Sequence, residues 1–192
     1  MPVVITGWRS RIAEEFRALI ADEAIRGYLH EPLPEASRYL FCHGLLRPKT
    51  AEEQTEHERA EGWQVNCSSI TEECDRILAT NKAARICVIG SESGYRGSYD
   101  GTYAEAKAVL HHYIEATCLR PGQQLVGISP GIIADAGMTT RRMDTENLAR
   151  RLEEHPKRRF LVAREVARMA QTLLYDQPYI SGTIIRMHGG AK

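Results

Sequence analysis

The sequence lacks long apolar runs and a basic segment at its N-terminus. No stretch of 18 apolar residues occurs in the 192-residue chain, so no transmembrane helix is predicted. Met1 leads directly into Val3-Val4-Ile5, without the basic region of a signal peptide. From these two absences we expect a soluble, cytoplasmic protein without a membrane partner.

An excess of charge of either sign is also missing. The 25 Lys and Arg residues balance the 25 Asp and Glu residues, which gives a net charge of zero. No basic surface therefore favours nucleic acid or an anionic membrane as a partner. A small-molecule substrate is the partner class that remains.

Paired cysteines and clustered metal ligands are absent as well. The five cysteines are odd in number and none are spaced as Cys-x-x-Cys, which argues against a zinc site and a disulfide framework. The histidines, including His111-His112, lack metal-ligand spacing. We expect reduced, mostly buried thiols and no bound metal.

Strand and helix signals alternate along the chain. Strands are predicted at residues 2–6, 27–31, 38–42, 85–89, 124–128 and 182–187, and helices at 12–20, 50–80 (interrupted near Gly62), 103–117 and 163–175. This alternation predicts one α/β domain over residues 1–192, a doubly wound parallel sheet of about six strands with helices on both faces. Ligands bind such sheets at the carboxyl ends of the strands, so the residues there are the candidates for function.

Tyr103 and Lys107 form a Tyr-x-x-x-Lys pair in the third predicted helix. With eight Tyr and five Lys in the chain, about 0.2 such pairs are expected by chance, so the pair alone is weak evidence and the accompanying motifs matter. These motifs are, in chain order, Thr6-Gly7, Cys42-His43-Gly44, Asn66, Ser91 (12 residues before Tyr103), Pro130-Gly131 and His188-Gly189-Gly190.

The ordered series resembles the short-chain dehydrogenase/reductase family from end to end. The resemblance implies a Rossmann-like fold and an NAD(P)-dependent oxidoreductase that interconverts a carbonyl and a hydroxyl on a small substrate, with an anionic or sugar-like substrate open. Tyr103 would exchange the proton, Ser91 would orient the substrate, and Asn66 would hold a water of a proton relay. Lys107, on the same helical face as Tyr103, would favour the phenolate and bind the nicotinamide ribose.

The resemblance also implies a set of cofactor-binding residues. They are Thr6, Gly7, Ser10, Arg11, Ile12, Glu31, His43, Gly44, Lys107, Pro130, Gly131 and Ile133. Only Gly7 remains of the glycines in the family pattern Thr-Gly-x-x-x-Gly-x-Gly. Arg9 or Arg11 could meet a phosphate at a helix N-terminus, or simply face solvent. Glu31, predicted to end the second strand and bind the adenosine ribose, favours NAD over NADP.

The adenine side of the expected fold is shortened. About ten residues separate Glu31 from Cys42, where the family usually has a further helix and strand. We therefore predict that this unit is deleted and that the wall against which adenine packs is incomplete.

Other interpretations of the same residues remain open. Tyr103 and Lys107 could be an ordinary amphipathic pair, Ser91 a turn residue and Asn66 a helix-break residue. The alternative function is a catalytically silent binding or scaffold protein with weakened dinucleotide affinity. Epimerase or dehydratase chemistry on a sugar uses the same Tyr and Lys, but usually with a larger C-terminal domain.

Two further expectations concern surfaces. By the resemblance, the helices at about 50–80 and 103–117 pair with those of a second copy in a homodimer or homotetramer. The charged stretch from Arg141 to Arg159 occupies the place of the substrate loop, where arginines would suit an anionic substrate. A solvated helical lid is the simpler interpretation of that stretch.

Overall fold

A computed structural model describes residues 2–191. Its strands are β1 (Val3–Thr6), β2 (Ala24–Arg26), β3 (Arg38–Phe41), β4 (Arg85–Ile89), β5 (Gln124–Pro130) and β6 (Thr183–Met187). Its α-helices are α1 (Arg11–Leu19), α2 (Glu56–Trp63), α3 (Ser69–Thr80), α4 (Ser93–Arg96), α5 (Gly101–Ala116), α6 (Gly137–Thr140), α7 (Thr145–Glu154) and α8 (Ala163–Tyr175). The strands form one parallel sheet in the order β2-β1-β3-β4-β5-β6, which confirms the predicted architecture.

Helices cover both faces of the sheet, and each face has its own core. On one face, Val3 and Ile5 of β1 join Phe16 of α1 and the buried side of α8. On the other, Val4 packs with residues of α3 and α5, including Leu110. Successive strand residues point to opposite faces, so burial on both sides explains why the strands are continuously apolar.

The second strand was predicted at residues 27–31, and this position is wrong. β2 spans Ala24–Arg26 and pairs with β1 at the edge of the sheet. Three residues are too few to show the alternation of a strand. The next residue, Gly27, is in a crowded position, since a Cβ there would lie 2.6 Å from Leu33 Cδ2. Neither a helix nor a strand occurs between residues 27 and 37, as the predicted loss of the adenine-side unit requires.

The long polar helix begins later than predicted, and its α-helical geometry is interrupted close to Gly62. Thr55 caps α2 in a capping box with Glu58, which sets the start of the helix at Glu56. A π-helical turn, Gln64–Ser68, then connects α2 to α3 without a gap. Gly62 brings the helix close to α5, since a Cβ there would lie 3.2 Å from Thr102 Cγ2.

The cysteines and the helix lengths bear on two earlier expectations. All five cysteines are free thiols, and four of them are buried. Within residues 2–191, no group of three or more metal-ligating side chains is found. None of the helices described over that range is long and apolar enough to cross a bilayer.

Candidate active site

The carboxyl ends of the strands open into a cavity of about 1470 Å³. Most of the predicted site residues line it: Thr6, Gly7, Ser10, Arg11, Ile12, His43, Gly44, Ser91, Tyr103, Lys107, Pro130, Gly131 and Ile133. Asn66 and Glu31 do not. The cavity lies where parallel α/β sheets bind their ligands.

Tyr103 is held in the first turn of α5 by the helix cap. The Asp100 side chain accepts a hydrogen bond from the Tyr103 main-chain N–H at 3.0 Å. The same carboxylate also accepts from the Gln54 side chain at 2.8 Å, inside the protein. Tyr103 itself is 6% exposed and lines the cavity together with Ser91.

Lys107 follows Tyr103 by one helical turn and is almost completely buried. Only 1% of the residue is exposed, and Nζ donates a hydrogen bond to the main-chain oxygen of Ile89 at 3.2 Å. Nζ lies 6.0 Å from the centre of the Tyr103 ring. The end of β4 therefore receives both side chains, with Ser91 two residues beyond Ile89.

Burial shifts both of these titrating groups toward their neutral forms. Burial raises the pKa of Tyr103, and the nearby Ser91 side chain only partly opposes this effect. Burial also lowers the pKa of Lys107 to about 8. At pH 7 Tyr103 is accordingly a protonated phenol beside a lysine that is still mostly charged.

Asn66 lies in the π-helical turn and braces the segment after β3. Its Oδ1 accepts from the Leu45 N–H at 2.9 Å, and its Nδ2 donates to Leu45 O and Gly62 O, each at 2.8 Å. The side chain is fully buried and makes these contacts outside the cavity. Its predicted role with a relay water stays a prediction.

His43 lines the cavity, and one of its two ring nitrogens has no hydrogen-bond partner among residues 2–191. Its Nδ1 is 2.8 Å from Thr6 Oγ1, while Nε2 is buried and has no hydrogen-bond partner among residues 2–191. Burial lowers the pKa of His43 to about 3, with the Lys107 charge acting in the same direction. The imidazole is thus neutral, and the tautomer of the ring decides whether Nδ1 donates to Thr6 Oγ1 or accepts from it.

The turn between β1 and α1 fits the nicotinamide dinucleotide that the resemblance implies. Gly7 has φ +62°, and a Cβ there would lie 2.5 Å from the main chain of Cys42 and His43, so only glycine fits. Ser10 caps α1 by accepting the Ala13 N–H at 3.1 Å. First-turn amides of a helix lack intrahelical acceptors and suit a phosphate.

The two arginines near this turn differ in their surroundings. Arg11 forms ion pairs with Glu14 and Glu15 and a longer one with Asp135. Arg9 lines the cavity and makes no ion pair within residues 2–191. Arg9 is therefore the freer of the two for a phosphate.

Two charged residues of the site were not identified from the sequence. Arg26 ends β2 and lines the cavity, with its guanidinium 4.6 Å from the centre of the Tyr28 ring. Glu31, predicted for this place, is exposed in the turn beyond. Counting twenty residues from Thr6 reaches Arg26, a signal obscured because the strand was placed too late.

Glu92 is the second residue that was missed, a carboxylate beside Ser91 that is 6% exposed. It accepts from Ser129 Oγ at 2.8 Å and from Arg186 through Nε at 3.0 Å and a terminal nitrogen at 2.6 Å. Burial alone would raise the pKa of Glu92, but these hydrogen bonds outweigh it and hold the pKa below its ordinary value. No sequence motif marks this residue, because its partners lie 37 and 94 positions away.

Comparisons with known proteins agree with this geometry. A family profile described as enoyl-(acyl carrier protein) reductase matches residues 40–192. A Brucella melitensis structure described as short-chain dehydrogenase/reductase SDR:glucose/ribitol dehydrogenase is 18% identical, with a TM-score of 0.85, and the match covers 100% of this chain and 96% of the other. No curated protein matches significantly.

Two other solved structures show the same fold. An oxidoreductase of the short-chain dehydrogenase/reductase family from Burkholderia thailandensis is 17% identical, with a TM-score of 0.78 over 99% of this chain and 92% of the other. A single-residue variant of actinorhodin polyketide ketoreductase, with NADPH, is 14% identical, with a TM-score of 0.84 over 99% and 96%.

The buried charge of Lys107 predicts that Lys107→Met stabilises the protein. The pKa falls from 10.5 to about 8 on folding, so the charged lysine lowers the free energy of unfolding by about 3 kcal/mol at pH 7. The stability advantage of the variant should shrink as the pH rises from 8 to 10.5, because Lys107 loses its proton at a lower pH in the folded wild type than in the unfolded chain. Denaturant unfolding at several pH values measures this, with exposed Lys82→Met as the control. If Lys107→Met were less stable than wild type at pH 7, this would contradict the destabilising buried charge inferred for Lys107.

Proposed function

The chain belongs to the short-chain dehydrogenase/reductase family, and from this we propose that it is a nicotinamide-dependent oxidoreductase that reduces a carbonyl on a small anionic substrate. The observation that carries the proposal is the convergence of Tyr103, Ser91 and Lys107 at the end of β4, beside a cavity of about 1470 Å³. We further propose that residues 1–192 are a single domain and that the enzyme works in the cytoplasm.

The proposed reaction assigns one task to each polar group. Hydride is what the nicotinamide ring supplies when the cofactor is bound. The Tyr103 hydroxyl gives its proton to the carbonyl oxygen, and the Ser91 hydroxyl donates a hydrogen bond to the same oxygen. The raised pKa of Tyr103 suits reduction, because the residue must start protonated. The positive charge of Lys107 then stabilises the phenolate left on Tyr103.

Arg26 supports NADP as the cofactor, in place of the NAD that Glu31 favoured in the sequence. An arginine near the end of the second strand can accommodate the 2′-phosphate of NADP. Arg26 lines the cavity, whereas Glu31 is exposed and lies outside it. In the same cavity Arg9 would meet the pyrophosphate.

The charges on the opposite wall support an anionic substrate. Arg141 and Arg151 line the cavity and form no ion pair in the part of the chain that the structure describes. Arg142, between them in the sequence, is instead paired with Asp144. A substrate carboxylate or phosphate would find two unpaired guanidinium groups there.

A catalytically silent binding protein is the second candidate. The observation in its favour is the missing helix and strand between β2 and β3, which removes surface from the adenine side. Against it stand the buried lysine and tyrosine, because a scaffold gains nothing from the cost of burying Lys107.

We also propose that the protein is a homodimer or homotetramer. Val109 on the outer side of α5 is 47% exposed, and burying it against a second copy would remove apolar surface from water. The expected pairing helices, α2, α3 and α5, all carry exposed faces in the single chain.

Tyr103→Phe tests the reaction. The variant should lose at least about a hundredfold in turnover of carbonyl substrates, the usual contribution of general acid catalysis, while it binds NADPH as tightly as wild type. Turnover is measured by NADPH oxidation and binding by fluorescence titration. Tyr179→Phe, at a 99% exposed position, is the control. Retained turnover in the Tyr103 variant would show that another group supplies the proton.

Arg26→Glu tests the cofactor preference. Loss of the cation should weaken NADPH binding at least about tenfold relative to NADH, because the glutamate repels the 2′-phosphate and can accept from a ribose hydroxyl. Titrations of both cofactors give the ratio of dissociation constants, and exposed Arg168→Glu is the matched control. An unchanged ratio in Arg26→Glu would refute the NADP assignment, and no binding of either cofactor to wild type would favour the silent protein.

A further inference from the structure

A third polar side chain continues the row formed by Tyr103 and Lys107. His111 follows Lys107 by four residues on α5, so it lies on the same face of the helix, and it is 3% exposed. The proposed reaction assigns it no task. Burying an imidazole is costly unless its ring nitrogens form hydrogen bonds, and Nδ1 of His111 is buried without a partner among residues 2–191, so the bond formed by Nε2 carries the argument.

One ring nitrogen of His111 is used by the main chain of Ser91. Nε2 accepts the Ser91 N–H at 3.3 Å, across 20 residues of sequence. Accepting requires a lone pair on Nε2, so the proton of the neutral ring is on Nδ1. Burial lowers the pKa of His111 to about 4; the charges of Lys107 and Arg186 act in the same direction, and Glu92 opposes them. The accepting form therefore persists at pH 7.

The turn after β4 is built around this imidazole. A Cβ at Gly90 would lie 2.3 Å from His111 Nε2, and one at Gly94 would lie 2.8 Å from Cε1. Neither glycine has a positive φ, so space for the ring, and not backbone strain, calls for glycine at both positions. The Tyr95 ring packs against the imidazole, with the ring centres 4.8 Å apart.

The residues on either side of Ser91 are held by main-chain hydrogen bonds. The Gly90 N–H donates to Ile128 O at 2.7 Å, and the Glu92 N–H donates to Pro130 O at 3.0 Å. The Ser91 Oγ accepts from the Ser93 N–H at 3.1 Å, which ties the direction of the hydroxyl to the path of the turn. The Ser91 N–H differs from these donors because its acceptor is a side chain of another element, His111 of α5.

We propose that His111 is the positioning residue of Ser91, holding the turn so that the Ser91 hydroxyl faces the oxygen that Tyr103 protonates. The helix that carries the proton donor thereby also sets the position of the residue that orients the substrate. The catalytic part of this inference rests on the proposed function, whereas the contact between His111 and Ser91 does not.

Three variants separate positioning from packing. His111→Leu removes the acceptor and keeps an apolar side chain of similar length. His111→Gln restores an acceptor near the place of Nε2, and His112→Leu changes the exposed neighbouring residue on the same helix. Amide hydrogen exchange at Ser91, followed by NMR on the full-length protein without ligand, reports the contact directly. The nitrogen shifts of the His111 ring in the wild type report its tautomer.

The expected result is a change at Ser91 that glutamine reverses. Ser91 should exchange at least tenfold faster in His111→Leu than in wild type, whereas His111→Gln and His112→Leu should stay close to wild type. With a carbonyl substrate that the wild type reduces, kcat should fall at least tenfold in the Leu variant and recover in Gln, with KM for NADPH unchanged. The wild-type ring should carry its proton on Nδ1.

Two results would overturn the inference. One is equal Ser91 exchange in the Leu and Gln variants, and the other is a wild-type ring protonated on Nε2. The ring measurement needs no variant, so it decides the contact even if His111→Leu does not fold. A wild type that reduces no carbonyl would refute the proposed function, while the exchange and ring measurements would still decide whether His111 holds Ser91.

Discussion

One face of α5 packed against the end of β4 is the contact on which the candidate site depends. Tyr103, Lys107 and His111 lie on that face, and all three are at most 6% exposed. Lys107 is hydrogen-bonded to the last residue of the strand, and His111 to Ser91, two residues beyond it. Burying a polar helix face is costly unless its groups find partners, and the main chain at and just beyond the strand end supplies one for Lys107 and one for His111.

The same contact lowers the stability of the fold, because it buries groups that can carry charge. Burial pushes the pKa of Lys107 down and that of Tyr103 up, so the fold holds both groups in an environment that disfavours their charged forms. Around them the protein balances charge locally, as in the pairing of Glu92 with Arg186. Arg9, Arg141 and Arg151, which form no ion pair among residues 2–191, line the cavity, where an anionic cofactor and substrate would neutralise them.

The parts that could be predicted from the sequence are those that depend on local pattern. The central strands β4 and β5 are buried on both faces and read as continuous apolar runs, and the spacing of Tyr103 and Lys107 fixes a shared helical face. β2 is too short to show a period, and its misplacement led to Glu31 instead of Arg26. The roles of Glu92 and His111 depend on contacts across 20 to 94 residues, which no local pattern reveals.

The helix and strand missing between β2 and β3 reduce the wall against which adenine would pack. The central question is therefore whether the cavity still supports hydride transfer. The direct measurement uses NADPH deuterated at C4, on either face, with a panel of anionic aldehydes and ketones, and follows the mass of the alcohol product. We expect an alcohol that carries one deuterium at the former carbonyl carbon. The absence of deuterium from every product, in protein shown to bind NADPH, would contradict hydride transfer and leave a dinucleotide-binding protein without this chemistry.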